Sequence, residues 1–271
     1  MSNNIRELTP FLKWVGGKRW FVQKYLNVFP KEYSRYYEPF VGGGAAFFSL
    51  APPQSVLSDI NEEITNLYIV MRDNPLKLKY FMQKHQKNHS SEYYYFIRAK
   101  SYSDNIERAA RTLYLNRTCF NGLYRVNRSG QFNVPIGTKN NCVYDIDYFE
   151  DYSKTLKQSI IRTEDFGIAI SRAKEDDLIF ADPPYVSTQN QDGFIKYNEK
   201  LFTWADQERL LKKLVEARAQ GVNIVATNAN FNEIKEMYLQ KDFNVVEIER
   251  CSTVAGNNSK RGVVKELLIT S

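Results

Sequence analysis

The sequence contains little cysteine and little histidine. Its three cysteines, Cys119, Cys142 and Cys251, are odd in number and widely spaced, which argues against a disulfide framework and fits a reducing compartment. The two histidines, His85 and His89, stand four residues apart on a predicted helix, but the glutamate of a zinc-protease motif is missing. We therefore expect both histidines on a solvated helix face, and we expect no metal site.

Long apolar segments are also missing. No apolar run approaches the ~18 residues that a membrane-spanning helix requires, and the opening residues MSNNIRELTPFLKW hold no apolar core of a signal peptide. These properties predict a cytoplasmic protein with no membrane partner. The 271 residues, 43% hydrophobic and 25% charged, suffice to bury a core in one large domain or two modest ones.

Positive charge is concentrated in one internal block. Of the 37 lysines and arginines, twelve lie between Pro75 and Asn141, where only three acidic residues occur. The net charge of the whole chain is +6, so the remainder is slightly acidic. Such a basic block favours a phosphate backbone as partner, with a basic solvated surface as the alternative.

Strand and helix patterns alternate through most of the chain. YYEPFVGGGAAFFSLA and SVLSDINEEITNLY each predict a short strand, ending near Glu38 and Asp59, followed by a helix. Later segments, SIIRTEDF, DLIFADPPY, WADQERLLKKLVEARAQG and VNIVATN, continue the pattern. The alternation predicts an α/β fold with a parallel sheet, to which two antiparallel strands are added at the end of the chain.

The basic block interrupts this alternation. It contains three helical segments and then NGLYRVNRSGQFNVPIG, which predicts a β-hairpin with strands over Leu123–Val126 and Gln131–Val134 and a turn at Ser129-Gly130. We therefore expect a catalytic domain formed by residues 1–74 and 151–271, with a recognition module inserted at residues 75–150.

Two motifs are typical of nucleotide-binding sites. In EPFVGGGAAFF the glycines after a strand allow close approach of a ligand to the backbone, although Phe47 replaces the last glycine of a dinucleotide fingerprint, which counts against NAD. In LSDIN, Asp59 ends the next strand, where it either accepts ribose hydroxyls or caps the following helix. FLKWVGGKRWF lacks the spacing of a Walker loop, so an ATPase is disfavoured.

IFADPPYVST places an acid and a phenol on a stiff turn after a buried strand. The prolines end the strand because they cannot donate to a ladder. Asp182 and the Pro183 carbonyl can together accept both hydrogens of an exocyclic amine, whose lone pair is otherwise delocalised into its ring. The ring of Tyr185 can stack on the same base.

The ordered set FLKWVGGK, EPFVGGG, SDIN and DPPY resembles the Dam-type DNA adenine-N6 methyltransferases of the α group. The resemblance implies a Rossmann-like S-adenosylmethionine-dependent methyltransferase domain with an inserted helical and β-hairpin DNA-recognition module. It also implies methyl transfer from S-adenosylmethionine to adenine N6 in duplex DNA by base flipping and direct transfer, leaving S-adenosylhomocysteine. LYLNRTCFNGLYRVNRSGQFNVPIG resembles the recognition hairpin of the GATC-reading branch.

The resemblance carries roles to individual residues. The catalytic tetrapeptide is Asp182, Pro183, Pro184 and Tyr185. The implied cofactor contacts are Trp14, Lys18, Glu38, Phe40, Gly42, Gly44, Asp59, Ile60, Asp165, Phe166 and Asp182. The implied DNA contacts are Lys13, Phe120, Asn121, Leu123, Arg125, Asn127, Pro135, Lys260 and Arg261. Phe120 replaces the tyrosine often found at the wedge position, which keeps a ring there but loses its hydroxyl.

Three questions stay open at this point. A catalytically silent DNA-binding fold is the second hypothesis, although the intact Asp-Pro-Pro-Tyr argues against it. The acceptor is alternatively RNA adenine, cytosine N4 or a protein glutamine; Asn replaces Asp182 in many glutamine and RNA enzymes, and Ser in cytosine-N4 enzymes. Whether a cognate restriction endonuclease acting on the same site accompanies the chain is not decided by the sequence.

Overall fold

The computed structural model describes residues 8–127, 129–143, 148–186, 202–251 and 263–271. By its internal contacts the chain divides into two compact units: residues 1–19, 42–51 and 59–163 form the first, and residues 20–41, 52–58 and 164–271 the second. These units are defined by contacts within the chain, whereas the division predicted at residues 75 and 150 is defined by function. The predicted functional division therefore stays a prediction.

The second unit contains a mixed β-sheet. Its strands are β1 (Tyr36–Glu38), β2 (Ser55–Asp59, of which Asp59 falls in the first unit), β4 (Leu178–Ala181), β5 (Asn223–Ala229), β6 (Asn244–Cys251) and β7 (Val263–Thr270). They pair in the order β2-β1-β4-β5-β7-β6. The pairs from β2 to β5 are parallel, whereas β7 is antiparallel to both β5 and β6. The predicted α/β fold and its antiparallel C-terminal pair are confirmed.

Helices complete the second unit. They are α1 (Arg19–Tyr25, of which Arg19 falls in the first unit), α8 (Phe166–Ile170), α9 (Trp204–Ala219) and α10 (Asn232–Leu239). The core joins the sheet to these helices through buried side chains such as Ile179, Ile224, Leu210 and Leu214. Helix α9 begins with a capping box, in which the side chains of Thr203 and Asp206 each accept the backbone N–H of the other residue.

The first unit is mainly helical. It contains α2 (Ala45–Leu50), α3 (Glu62–Asp73), α4 (Pro75–Asn88), α5 (Ser91–Ala99), α6 (Asn105–Thr118), α7 (Tyr148–Leu156) and one strand, β3 (Ser159–Thr163). A cluster of aromatic rings, Phe11, Phe48, Tyr68 and Tyr152, packs at centroid distances of 4.9–6.3 Å. The three helices predicted for the basic block correspond to α4, α5 and α6.

The predicted hairpin forms in part: at its tip the Asn127 N–H donates to the Gln131 carbonyl at 2.8 Å and the Asn133 N–H donates to the Arg125 carbonyl at 3.0 Å, but no continuous strands form in the described residues. Val126 bridges Phe132, and Cys119 bridges Ile136, in antiparallel fashion but as isolated pairs. The two bridges belong to different registers, so no continuous ladder can connect them. The segment is therefore a hairpin-shaped loop; below we call residues 119–137 the recognition loop.

The expectation of a solvated face is wrong for His85, whereas His89 is half-buried. His85 is 6% exposed, and its ring stacks on Tyr114 of α6 at a centroid distance of 4.7 Å. The hydroxyl of Tyr93 lies 2.9 Å from His85 Nδ1, and that of Tyr114 lies 2.8 Å from His89 Nδ1. Neither histidine belongs to a metal-binding cluster in the part of the chain that the structure describes.

The buried imidazole makes stability depend on pH. Burial, reinforced by Lys84, lowers the pKa of His85 from 6.5 to about 4. The unfolded chain therefore binds a proton more readily, and stability is lost as pH falls below 6.5 toward 4. We expect acidification from pH 7 to pH 5 to lower the unfolding free energy through this residue by on the order of 2 kcal/mol. Urea titrations of wild type and His85→Leu at both pH values measure this, since the variant should lose that part of the pH dependence; an equal dependence in both would contradict it.

Candidate active site

In the first unit, the glycine loop is closely packed against Trp14. Gly42 and Gly44 have φ angles of +43° and +66°, a region that favours glycine. A Cβ at Gly42 would lie 2.6 Å from Trp14 Cδ1, and one at Gly44 would lie 2.5 Å from the Tyr68 hydroxyl oxygen. Both positions therefore require glycine for space as well as for backbone conformation.

Asp59 connects this loop to the start of α3. Its Oδ2 accepts the Gly42 N–H at 3.1 Å, and its Oδ1 accepts the Asn61 N–H at 2.9 Å. The side chain that caps α3 is that of Asn61. The alternative that Asp59 serves as the helix cap is therefore wrong. Burial raises the pKa of the Asp59 carboxyl, although these N–H donors oppose the rise.

The remaining predicted cofactor residues of this unit flank Trp14 and Asp59 in the chain. Lys18 is buried, and its Nζ donates to the Gly16 carbonyl at 3.0 Å. Ile60 follows Asp59 and is 68% exposed, which leaves an apolar side chain accessible beside the acid.

In the second unit, Glu38 and two phenylalanines lie where β1 ends and α8 begins. The buried carboxylate of Glu38 accepts the Tyr36 hydroxyl at 2.7 Å. Phe40 stacks on Phe166 with ring centroids 5.2 Å apart. Sequence reasoning identified both rings but not the arginine on α9 that covers Phe166.

That arginine is Arg209. Its guanidinium lies 4.0 Å from the centroid of the Phe166 ring and binds both oxygens of Asp165 at 2.6 and 2.9 Å. The hydrogen bond from Arg209 lowers the pKa of Asp165. Asp165 also caps α8 through the Gly167 N–H, so this carboxylate has a structural task besides the predicted contact with the cofactor.

The Asp-Pro-Pro-Tyr segment follows β4 in the same unit. Asp182 Oδ1 accepts the Thr227 hydroxyl at 2.7 Å, and the Tyr185 hydroxyl donates to Glu266 Oε2 at 2.7 Å. Pro183 is buried, and Pro184 is half-buried. Burial raises the pKa of Tyr185 well above its usual value, and the nearby Asp182 and Glu266 carboxylates add to the rise.

Thr227 and Glu266 were missed by sequence reasoning. Thr227 carries no local signal in the strand sequence NIVATNA. Glu266 does have a local signal, because it is an acidic residue immediately before the apolar run LLIT of a predicted strand. That pattern does not show that its partner is Tyr185.

The recognition loop presents one large ring to solvent. Phe120 is 50% exposed, and its N–H donates to the Pro135 carbonyl at 2.9 Å. Asn121 and Gly122 both have positive φ angles, which makes the sharp turn that projects the ring. Pro135 is also exposed, and Leu123 is half-buried.

Arg125 and Asn127 are exposed on the same loop. Arg125 Nε donates to Asn133 Oδ1 at 2.8 Å. Asn127 Oδ1 accepts the N–H groups of Ser129 and Gln131, so this side chain organises the turn. Lys260 and Arg261 lie outside the described residues.

Lys13 lies beside the recognition loop. Its backbone N–H and carbonyl both bind the side chain of Asn116, at 2.9 and 2.8 Å, and its aliphatic chain packs against Gly122. Burial and the neighbouring Lys139 lower the pKa of Lys13 to about 8. A hydrogen-bond acceptor placed on this ammonium group would stabilise its charged form and so oppose both effects.

The residues present fit S-adenosylmethionine as a ligand. The glycine loop has no room for a Cβ at residue 42, an indole lies against it, and Asp59 places a carboxylate at the end of β2. Such a set suits a ligand with a ribose and an amino-acid end. In the described residues no group of His, Cys, Asp and Glu side chains could hold a metal ion, and none of the described helices has the length and apolar character needed to cross a bilayer.

Comparison with known proteins gives consistent matches along the chain. The family model for the D12 class of N6 adenine-specific DNA methyltransferases matches residues 14–254. The whole chain is 37% identical to the Type II methyltransferase M1.LlaDCHI of Lactococcus lactis subsp. cremoris and covers 98% of it. It is 32% identical to the Type II methyltransferase M.MjaIII of Methanocaldococcus jannaschii over 97% of this chain and 99% of that one. It is 31% identical to the DNA adenine methylase of Haemophilus influenzae over 96% of this chain and 92% of that one. The chain belongs to the D12 class of N6-adenine-specific DNA methyltransferases.

Proposed function

We propose that this adenine methyltransferase acts within GATC in duplex DNA, and that the target adenine leaves the base stack before it is methylated. The observation that carries the mechanism is the Asp-Pro-Pro-Tyr segment, whose acid is oriented by Thr227 and whose phenol is oriented by Glu266. GATC rests on the resemblance of NGLYR and NVPIG to the GATC-reading branch.

The chemistry assigned to the segment concerns the adenine amino group. Asp182 and the Pro183 carbonyl accept hydrogen bonds from its two N–H groups, which orients the nitrogen lone pair for in-line attack. As the methyl–sulfur bond breaks and the methyl–nitrogen bond forms, the nitrogen becomes positively charged, and it then releases one of its two protons to solvent. The ring of Tyr185 stacks on the everted base. S-adenosylmethionine, the methyl donor, supplies a methyl group activated by its sulfonium when bound, and S-adenosylhomocysteine is the product. No covalent intermediate on the protein and no metal are required.

The residues that we assign to the cofactor are those that the resemblance implies. They are Trp14, Lys18, Glu38, Phe40, Gly42, Gly44, Asp59, Ile60, Asp165, Phe166 and Asp182. Support comes from the steric demand for glycine at residues 42 and 44 and from the carboxylate at the end of β2.

The recognition loop is assigned to DNA. Phe120 is exposed, and we assign its ring as a wedge that enters the base stack. Eversion of a base costs a few kcal/mol, and the inserted ring offsets part of that cost. Arg125 is of the type that forks onto guanine O6 and N7 in the major groove. Lys13, with its lowered pKa, is assigned to the outer guanine. The further contacts assigned are Asn121, Leu123, Asn127, Pro135, Lys260 and Arg261.

The cellular setting follows from the substrate and the relatives. Two of the relatives named above are Type II methyltransferases, which supports a cognate restriction endonuclease acting on the same site as partner. Because the substrate is DNA, we place the enzyme in the cytoplasm of a bacterium or of a phage-infected cell.

Mapping of modified bases tests the proposed specificity. DNA from cells that lack other adenine methylases and express the chain should carry N6-methyladenine at GATC. Arg125→Ala should relax discrimination at one base pair by about 1–3 kcal/mol, because its bidentate contact is lost. The exposed Arg162, on β3 and outside the recognition loop, provides the control: Arg162→Ala should retain the wild-type pattern. Methylation of a different sequence would refute GATC while leaving the adenine activity intact.

A further inference from the structure

A buried carboxylate lies behind the phenol of the Asp-Pro-Pro-Tyr segment. Glu266, on β7, is only 2% exposed. Its Oε2 accepts the Tyr185 hydroxyl at 2.7 Å, and its Oε1 forms an ion pair with Arg250 Nε, also at 2.7 Å. The sheet therefore provides a charged acceptor for a hydroxyl group 81 residues earlier in the chain.

The direction of this hydrogen bond is defined by the chemistry of the pair. Burial and two neighbouring carboxylates keep the Tyr185 phenol protonated, so it donates and the carboxylate accepts. Hydrogen bonds to charged acceptors are stronger than neutral ones. Arg250, on the adjacent strand β6, balances the buried negative charge of Glu266. This matters because an unpaired carboxylate is strongly destabilising when it is buried.

Two neighbouring strands orient the two reactive ends of the segment. In the antiparallel pairing of β5 with β7, Glu266 is opposite Ala229, two residues after Thr227. Thr227 binds Asp182, while Glu266 binds Tyr185. The acid and the ring are therefore both held by rigid sheet positions rather than by the turn alone.

We propose that Glu266 is a positioning residue for methyl transfer: through the phenol hydroxyl it holds the ring of Tyr185 in the orientation that receives the everted adenine. The proposal rests on the function proposed above, since stacking of the base on Tyr185 is part of it. A purely structural Glu266 would serve only the ion pair with Arg250 between β6 and β7.

A double-mutant cycle separates the two roles. Tyr185→Phe keeps the ring and removes the hydroxyl, and Glu266→Ala removes its acceptor. We expect each to lower kcat by about tenfold, as the loss of one charge-assisted hydrogen bond implies, with the KM for S-adenosylmethionine unchanged. The double variant should be no slower than either single variant. Multiplicative losses would overturn the proposal.

A spectroscopic readout reports the ring directly. With 2-aminopurine replacing the target adenine in a GATC duplex, stacking on Tyr185 quenches fluorescence of the everted base. Glu266→Ala and Tyr185→Phe should both weaken this quenching to the same extent, because both release the ring. Quenching identical to wild type in both variants would contradict a positioning role.

Control variants guard against loss of the fold. Glu266→Gln retains an acceptor and should restore most of the activity. Glu266→Met combined with Arg250→Met leaves no uncompensated buried charge and should still show the slow kcat; wild-type kcat in this folded variant would refute the proposal. Glu247 of β6 pairs with Lys265 of β7 and with Lys235 of α10. It is the matched control, and Glu247→Ala should leave kcat unchanged.

The outcome for Tyr185→Ala distinguishes this proposal from the one it depends on. If Tyr185→Ala transfers methyl groups at the wild-type rate, the stacking role of Tyr185 fails and with it the proposed function of the segment. If Tyr185→Ala is inactive while Glu266→Ala is as fast as wild type, only the positioning role fails.

Discussion

Asp182→Ala is expected to lower the rate of methyl transfer by about a thousandfold or more, which is typical of removing a group that acts on the reacting atoms. The carboxylate is the acceptor assigned to one hydrogen of the adenine amine, and alanine leaves that amine without an orienting partner. Affinity for duplex DNA should stay near the wild-type value, because the contacts assigned to the duplex around the target adenine belong to other residues. Single-turnover methylation and fluorescence anisotropy with a GATC duplex measure the two quantities separately.

Two further variants make this expectation specific. Thr227→Val removes the hydroxyl that donates to Asp182 Oδ1 and should give a smaller loss, about tenfold. Asp177 precedes β4 and binds the Lys174 N–H, so Asp177→Asn is a matched control at the opposite end of the strand and should retain activity. Methylation by Asp182→Ala near the wild-type rate would remove the catalytic role from this residue.

Gly42→Ala is expected to weaken binding of S-adenosylmethionine at least about tenfold, or about 1.4 kcal/mol. The new Cβ would lie 2.6 Å from Trp14 Cδ1 and 2.8 Å from its Nε1, so the indole must move. The φ angle of +43° adds backbone strain for any residue with a Cβ. The N–H of residue 42 also binds Asp59, so a shift of the loop would disturb both assigned contacts. Calorimetric titration with S-adenosylmethionine measures the change.

The control for this substitution separates strain from collision. Gly130 has a φ angle of +74°, but a Cβ there would meet nothing within 4 Å. Gly130→Ala should therefore show a modest cost in stability and wild-type affinity for S-adenosylmethionine. Equal affinity of Gly42→Ala and wild type would mean that the glycine loop and Trp14 do not hold the cofactor.

The elements that sequence analysis predicted well are those with local signals. The ends of β1, β2 and β4 follow from short apolar runs interrupted by glycine or proline, and the helices of the basic block follow from their apolar spacing. The order of the motifs was sufficient to indicate a DNA adenine methyltransferase, which the family match confirms. Each of these signals lies within a few consecutive residues, so it can be read without knowledge of distant contacts.

The recognition loop and the histidines show where local signals fail. Alternating apolar residues and a Ser-Gly turn favour a hairpin, and its tip does pair. The Cys119–Ile136 bridge is out of register with that tip, so the predicted strands are not continuous, and register is a property of two segments together. His85 lies among lysines in the sequence, yet Tyr114 covers its ring from another helix. Burial of a polar side chain depends on what packs over it.

The side chains that orient the proposed site residues are distant from them in the chain. Thr227 reaches Asp182 across 45 residues, Arg209 reaches Asp165 across 44, and Glu266 reaches Tyr185 across 81. The last contact exists because β7 pairs with β5 and separates it from β6, an order that no short segment encodes. The amino-acid sequence alone therefore determined the family of the chain and indicated the residues that we assign to the chemistry, since the types and spacing of its motifs are local. Folding alone determined which side chains orient them, because those partners meet only when distant strands and helices pack together.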